Sequence, residues 1–148
     1  MSYVRLFVHA VWGTKDRFPY LHSGVRSIML DHIHSNAKKK GIYIDSLNGV
    51  SDHLHCLFLL KADMALMKAL QLIKGESSFW FNRQNLIKEY FEWADEYYAV
   101  SVSESDIDSV RTYIDDQENH HRKQSFAEEC DEFLEKYGFV KGFHPDQG

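Results

Sequence analysis

Two histidines one residue apart, His53 and His55, stand in a run whose intervening positions, Leu54, Cys56, Phe58 and Leu60, are all apolar. Apolar residues at every second position mark a β-strand with one face turned to a core, because successive side chains point to opposite faces. The other face of that strand then carries both imidazoles on the same side, roughly 7 Å apart along the chain, where they can converge on one ion. Such a sheet needs helices on its apolar face only and leaves the histidine face open.

The surrounding pattern supplies the helices. Tyr3–Trp12 alternates, with Val4, Leu6, Val8, Ala10 and Trp12 on one side and Arg5, Phe7, His9 and Val11 on the other, which predicts a first strand. A basic, aromatic loop follows with Lys15, Arg17, Phe18 and Tyr20. Val25, Ile28, Met29, Ile33 and Ala37 recur at helical spacing in Ser23–Lys40, with Ser23 as the expected cap and Gly41 as the stop. Ile42–Leu47 predicts a second strand, and Asn48-Gly49 a hairpin turn into the histidine strand. Asp63 is the expected cap of a helix over Ala65–Arg83 that buries Leu66, Ala69, Leu70, Ile73 and Phe79. A loop leads to a fourth strand over Tyr97–Ser103, then helices over Glu104–Lys123 and Phe126–Tyr137. The order is β-α-β-β-α-β plus two C-terminal helices. This is an α+β, ferredoxin-like antiparallel sheet, with the first and third strands central and helices on one face.

No repeat, low-complexity stretch or linker interrupts the 148 residues, so one domain over 1–148 is expected. There is no apolar run long enough for a membrane span. Cys56 and Cys130 fit no zinc or redox spacing, and the expected location is cytoplasmic. The net charge of −5 counts at first against nucleic acid, but its distribution is uneven. Residues 1–90 hold 12 Lys and Arg against 7 Asp and Glu, whereas residues 91–148 hold 5 against 15. The first part can therefore present a basic face. Lys15, Arg17, Arg26, Lys38, Lys39 and Lys40 are candidate phosphate contacts, and Phe18 and Tyr20 candidate stacking platforms. A lysine run is also an ordinary solvated helix end, and the aromatics serve equally well as core.

Tyr113 and Gln117 are four apart and share a face of the predicted helix, one turn from each other. A glutamine oxygen with two histidine nitrogens suits Mg²⁺ or Mn²⁺ with positions left for phosphate oxygens, although zinc also accepts such a set. The bland reading is two histidines bonded to neighbours, a core tyrosine and a solvated glutamine. Cupins and several zinc hydrolases use His-x-His pairs too, but the helix content here argues against a nearly all-strand cupin barrel.

Taken together, His9-Ala10-Val11-Trp12 followed by Lys15 and Arg17, Asp52-His53-Leu54-His55, Lys74-Gly75-Glu76-Ser77-Ser78, and Tyr113 to Gln117 followed by His120-His121 closely resemble the HUH-type single-tyrosine transposases of the IS200/IS605 group. The resemblance implies a transposase that cuts and rejoins single-stranded DNA at hairpin-marked ends. Tyr113 would be the nucleophile of a 5′-phosphotyrosine intermediate, and His53, His55 and Gln117 would hold the Mg²⁺ or Mn²⁺. It further implies a homodimer whose nucleophile helix serves the partner's site. His9, His120 and His121 are candidates to support the ligands or touch DNA. Three other readings stay open: a hairpin-binding relative without cleavage, a His-x-His zinc hydrolase, and a plain ferredoxin-like ligand-binding domain.

Overall fold

The computed structural model describes residues 2–119 and 125–136. The chain divides into two compact units, residues 1–117 and 118–148. In the first, β1 (Phe7–Gly13), α1 (Ser23–Lys39), β2 (Tyr43–Val50), β3 (His53–Leu59), α2 (Leu66–Arg83), β4 (Tyr98–Val102) and α3 (Ile107–Asp115) follow in order. Short 3-10 turns at Lys15–Arg17 and Glu104–Asp106 precede α1 and α3. In the second unit, α4 (Phe126–Lys136) begins with a serine cap: Ser125 Oγ accepts from the Glu128 amide and donates to its carboxylate. Tyr137 and Gly138, the expected end of that helix, lie outside the described residues.

The strands form one antiparallel sheet in the order β2-β3-β1-β4, so β1 and β3 are central as the sequence predicts. Val8, Ala10 and Trp12 of β1 and Leu54, Cys56 and Phe58 of β3 join Met29, Ile33, Leu70 and Ile73 of α1 and α2 in the main core. β1 begins at Phe7 and not at Tyr3, because its partners run out there: Leu59 and Val102 both pair with Phe7. Tyr3, Val4 and Leu6 are exposed.

Three local expectations are corrected. Asn48-Gly49 is not a turn, for β2 runs through it, pairing Asn48 with His55 and Gly49 with Leu54. The glycine is needed for close approach instead of for a bend: a Cβ there would overlap the His53 carbonyl oxygen and lie 2.6 Å from Leu54 Cδ2. Neither Ser23 nor Asp63 caps its helix; the cap positions are His22 and Ala65, without side-chain bonds. On α2 the buried stripe is Ala69, Leu70, Ile73, Ser77 and Phe81, while Phe79 is 65% exposed beneath the Arg83 guanidinium. Ser77 keeps its place in the stripe because its hydroxyl accepts the Trp93 indole N–H at 3.0 Å. On α1, Ile28 is likewise exposed. Gly41, at φ 76°, stops α1 as expected, in a left-handed conformation that glycine adopts without strain.

Two stability measurements follow. In urea unfolding, Phe81→Ala costs about 3–5 kcal/mol and Phe79→Ala less than about 0.5 kcal/mol, and equal losses would contradict this burial. Gly49→Ala costs about 1–3 kcal/mol, and a variant as stable as the parent would show that β2 and β3 are not packed this closely.

Candidate functional site

The face of β1 and β3 turned away from α1 and α2 is apolar at one end and polar at the other. Phe7 and Leu57 lie at the apolar end. Val11 pairs with His55 and Gly13 with His53, and His9 sits diagonally from His55. All three imidazoles are buried, with His53 and His55 wholly inaccessible. Strand parity thus brings His9, His53 and His55 together, and ring nitrogens of His53 and His55 lie within 4.8 Å of each other.

Each ring is oriented by a neighbour. His53 Nδ1 is 2.8 Å from Asp52 Oδ1, a contact in which the ring N–H donates to the carboxylate oxygen and the ring orientation is fixed. His9 Nε2 and His55 Nδ1 are 3.0 Å apart and share one proton. Sequence reasoning missed Asp52 in this role, although it directly precedes the pair.

α3 packs on the same face. Ile107 and Ile114 are buried against Phe7 and Leu57, with Val110, Tyr113, Leu59 and Val102 around them. The half-buried Tyr113 ring stands edge-on to His55 at 5.4 Å between centroids and to His9 at 6.3 Å. Two polar attachments join α3 to β2. Arg111 donates from Nε and Nη2 to the two carboxylate oxygens of Asp45 at 2.8 and 2.7 Å, holding the Asp45 carboxyl below the usual carboxylate range. Asn48 Nδ2 donates to the Ile114 and Asp115 carbonyls at 3.0 and 3.2 Å, which are among those a helix end leaves without an intrahelical partner. None of Asp45, Asn48 and Arg111 was found from sequence in this role, since polar contacts between distant segments leave no spacing signal.

The predicted continuous helix over Glu104–Lys123 is corrected: α3 ends at Asp115, Asp116 leaves the helical region, and residues 117–119 are helical again. Asn48 occupies the terminal carbonyls, and the chain turns there. Gln117 follows directly after this break. Its side chain is fully buried, with Nε2 donating to the Tyr113 carbonyl at 3.0 Å. Its Oε1 is buried with no hydrogen-bond partner among the described residues. His120 and His121 lie outside the described residues.

The basic candidates do not gather in one place. Lys15, Arg17 and Arg26 lie toward the end of the sheet where Gly13 meets His53, and Lys38 and Lys39 at the opposite end, where Tyr43 meets Leu59. Lys15 pairs with Glu92 at 3.2 Å, which raises its pKa. Arg26 donates to the Leu21 carbonyl. Phe18 is partly exposed against Tyr20, and Tyr20 packs on Phe91 of the core. Within the chain, Tyr113 stands beside its own His55.

Known proteins bear on this geometry. No match is found among curated proteins. Among solved structures, a candidate transposase from Deinococcus radiodurans R1 is similar at TM-score 0.64 and 23% identity, over 79% of this chain and 95% of its own. A REP-associated tyrosine transposase bound to a REP hairpin is similar at TM-score 0.58 and 14% identity, over 95% of this chain and 74% of its own. At these identities the likeness shows a shared fold. The family described as "Transposase IS200 like" matches residues 2–117, from the approach to β1 through Gln117. The chain belongs to the IS200-like transposase family.

Proposed function

We propose that this transposase cleaves and rejoins single-stranded DNA at hairpin-marked ends, with Tyr113 as nucleophile and Mg²⁺ or Mn²⁺ held by His53, His55 and Gln117. The observation that carries the reading is the position of the Tyr113 ring, 5.4 Å from the ring of His55, in a site where ring nitrogens of His53 and His55 lie close together.

The residues fit a divalent ion. The contact of Asp52 with His53 Nδ1 leaves Nε2 for an ion, and His55 keeps the same atom for it when its Nδ1–H donates to His9. Gln117 contributes a buried oxygen that no described residue satisfies, and a buried acceptor left in that state carries a desolvation cost. When bound, the ion would neutralise charge on the scissile phosphate as the transition state forms. His9 would then act through His55, fixing its ring.

The chain's own chemistry is a transesterification. Tyr113 Oη forms a bond to phosphorus as the bond from phosphorus to the 3′-oxygen breaks. The phenol loses a proton and the leaving 3′-oxygen gains one. A phenol near pKa 10 needs that proton drawn away to react at neutral pH. The reverse step, attack by a 3′-hydroxyl on the phosphotyrosine, rejoins the strand without ATP because the bond energy is stored covalently. A DNA hairpin as substrate is supported by the structural neighbour solved with a REP hairpin. A homodimer and a cytoplasmic, nucleoid-associated location belong to the same proposal. No described helix is long and apolar enough to cross a membrane.

The test is a labelled single-stranded hairpin incubated with the protein and Mn²⁺, followed by denaturing electrophoresis. A covalent protein–DNA band is expected. Tyr113→Phe abolishes it while hairpin binding persists, and His55→Ala and Gln117→Leu weaken Mn²⁺ binding in calorimetry. A band that survives Tyr113→Phe would defeat the assignment of the nucleophile. Mixing Tyr113→Phe with a His53→Ala/His55→Ala variant restores no adduct when each helix serves its own sheet. Recovery of the adduct would place the helix in the partner's site.

A further inference from the structure

β2 carries three features that the proposed chemistry leaves unused: an irregularity at Asp45, the Asn48 side chain and the ion pair to Arg111. The irregularity is a register shift between Ile44, which pairs with Phe58, and Ser46, which pairs with Leu57. The extra residue is Asp45, and the shift lets Asp45, Ser46 and Asn48 all face α3 while Ile44 and Leu47 still reach the main core.

Apolar packing holds α3 to the sheet but is non-directional, so Ile107 and Ile114 on Phe7 and Leu57 do not by themselves fix how the helix is turned or how far it slides. A nine-residue helix is marginal alone and takes its position from what it docks on. The directional constraints are the Arg111 fork on both Asp45 oxygens and the Asn48 amide on two terminal carbonyls. Arg111 lies two residues before Tyr113, and Ile114 and Asp115 are the two residues after it. Asn48 is moreover the cross-strand partner of His55. The separation between Tyr113 and His55 is thus spanned by one strand pair, one asparagine side chain and one turn of helix.

We infer that Asp45 and Asn48 of β2, with Arg111 of α3, set the position of Tyr113 over His55 and are positioning residues for the nucleophile. This rests on the reading of Tyr113 as nucleophile given above. A role in stability alone fits less well. The Arg111 side chain is 41% exposed and that of Asp45 7%, so the pair is screened by water from one side only; its two-point geometry fixes the helix in a way that stability does not require, and a nucleophile displaced by about 1 Å loses up to roughly a hundredfold in rate.

Two readouts on Asn48→Ala, Arg111→Met and Asp45→Asn test this. The first needs neither DNA nor metal: nitration by tetranitromethane, followed by mass spectrometry, compares Tyr113 with Tyr90, which is 71% exposed. Nitration of Tyr113 is expected to rise several-fold in the variants while that of Tyr90 stays constant and circular dichroism shows the fold retained. The second is the single-turnover rate of adduct formation at saturating hairpin DNA and Mn²⁺. It is expected to fall about ten- to a hundredfold, with hairpin affinity unchanged within about twofold. Unchanged Tyr113 nitration, or wild-type adduct rates in folded variants, would overturn the inference. If the wild-type protein forms no adduct with any hairpin, the nucleophile reading fails, and nitration alone decides whether these residues dock the helix.

Discussion

The pairing of β1 with β3 is the interaction on which everything else in the first unit depends. Both strands are buried on both faces, so each residue's parity decides between two different interiors. One interior is an ordinary core of Trp12, Leu54, Phe58 and the helices. The other is divided along its length, apolar around Phe7 and Leu57 and polar around His9, His53 and His55. The division is what allows a helix to dock and a cluster of histidines to exist on one surface. The apolar half holds α3 in place, and the polar half receives what α3 carries.

Burying three imidazoles and a carboxamide opposes folding unless each polar atom is matched. Here the matching is done in pairs reaching outward from the centre. Asp52 accepts a hydrogen bond from the His53 ring, His9 and His55 bond to each other, and the Tyr113 carbonyl accepts from the Gln117 amide. Each pairing uses one polar atom of the side chain, and under the proposed chemistry the second atom of His53, His55 and Gln117 would be the one offered to the ion. This is the pattern expected where ligands are oriented by a surrounding layer of hydrogen bonds.

The sequence made the sheet readable because a single covered face imposes period two on β3, and both histidines fall on the same count. The approach of Tyr113 to them was readable only as a resemblance to a family, since no periodicity relates residues on β3 to residues on α3. Other features were hidden for reasons that can be named. Asn48-Gly49 has the local preference of a hairpin turn, but the amide is taken up by helix carbonyls and the glycine by close strand contact, so tertiary demands override the preference. Phe79 looked buried because the true stripe contains a serine, made tolerable by an indole sixteen residues away. The break after Asp115 falls where the Ile114 and Asp115 carbonyls accept from Asn48, a side chain 66 and 67 residues earlier.

The inserted residue at Asp45 has a consequence for how this family member tolerates change in length. Ahead of it, Ile44 counts as inward to the main core; behind it, Leu47 does, and these positions are out of phase by one. Losing or gaining a single residue between Ile44 and Asn48 would turn the face presented to the helix into the face presented to the core. The same change in the connection before Tyr43 would leave both faces as they are. Indels in closely related transposases should therefore cluster before β2 and avoid the few residues around Asp45, so that strand length there is under tighter constraint than the identity of most of its side chains.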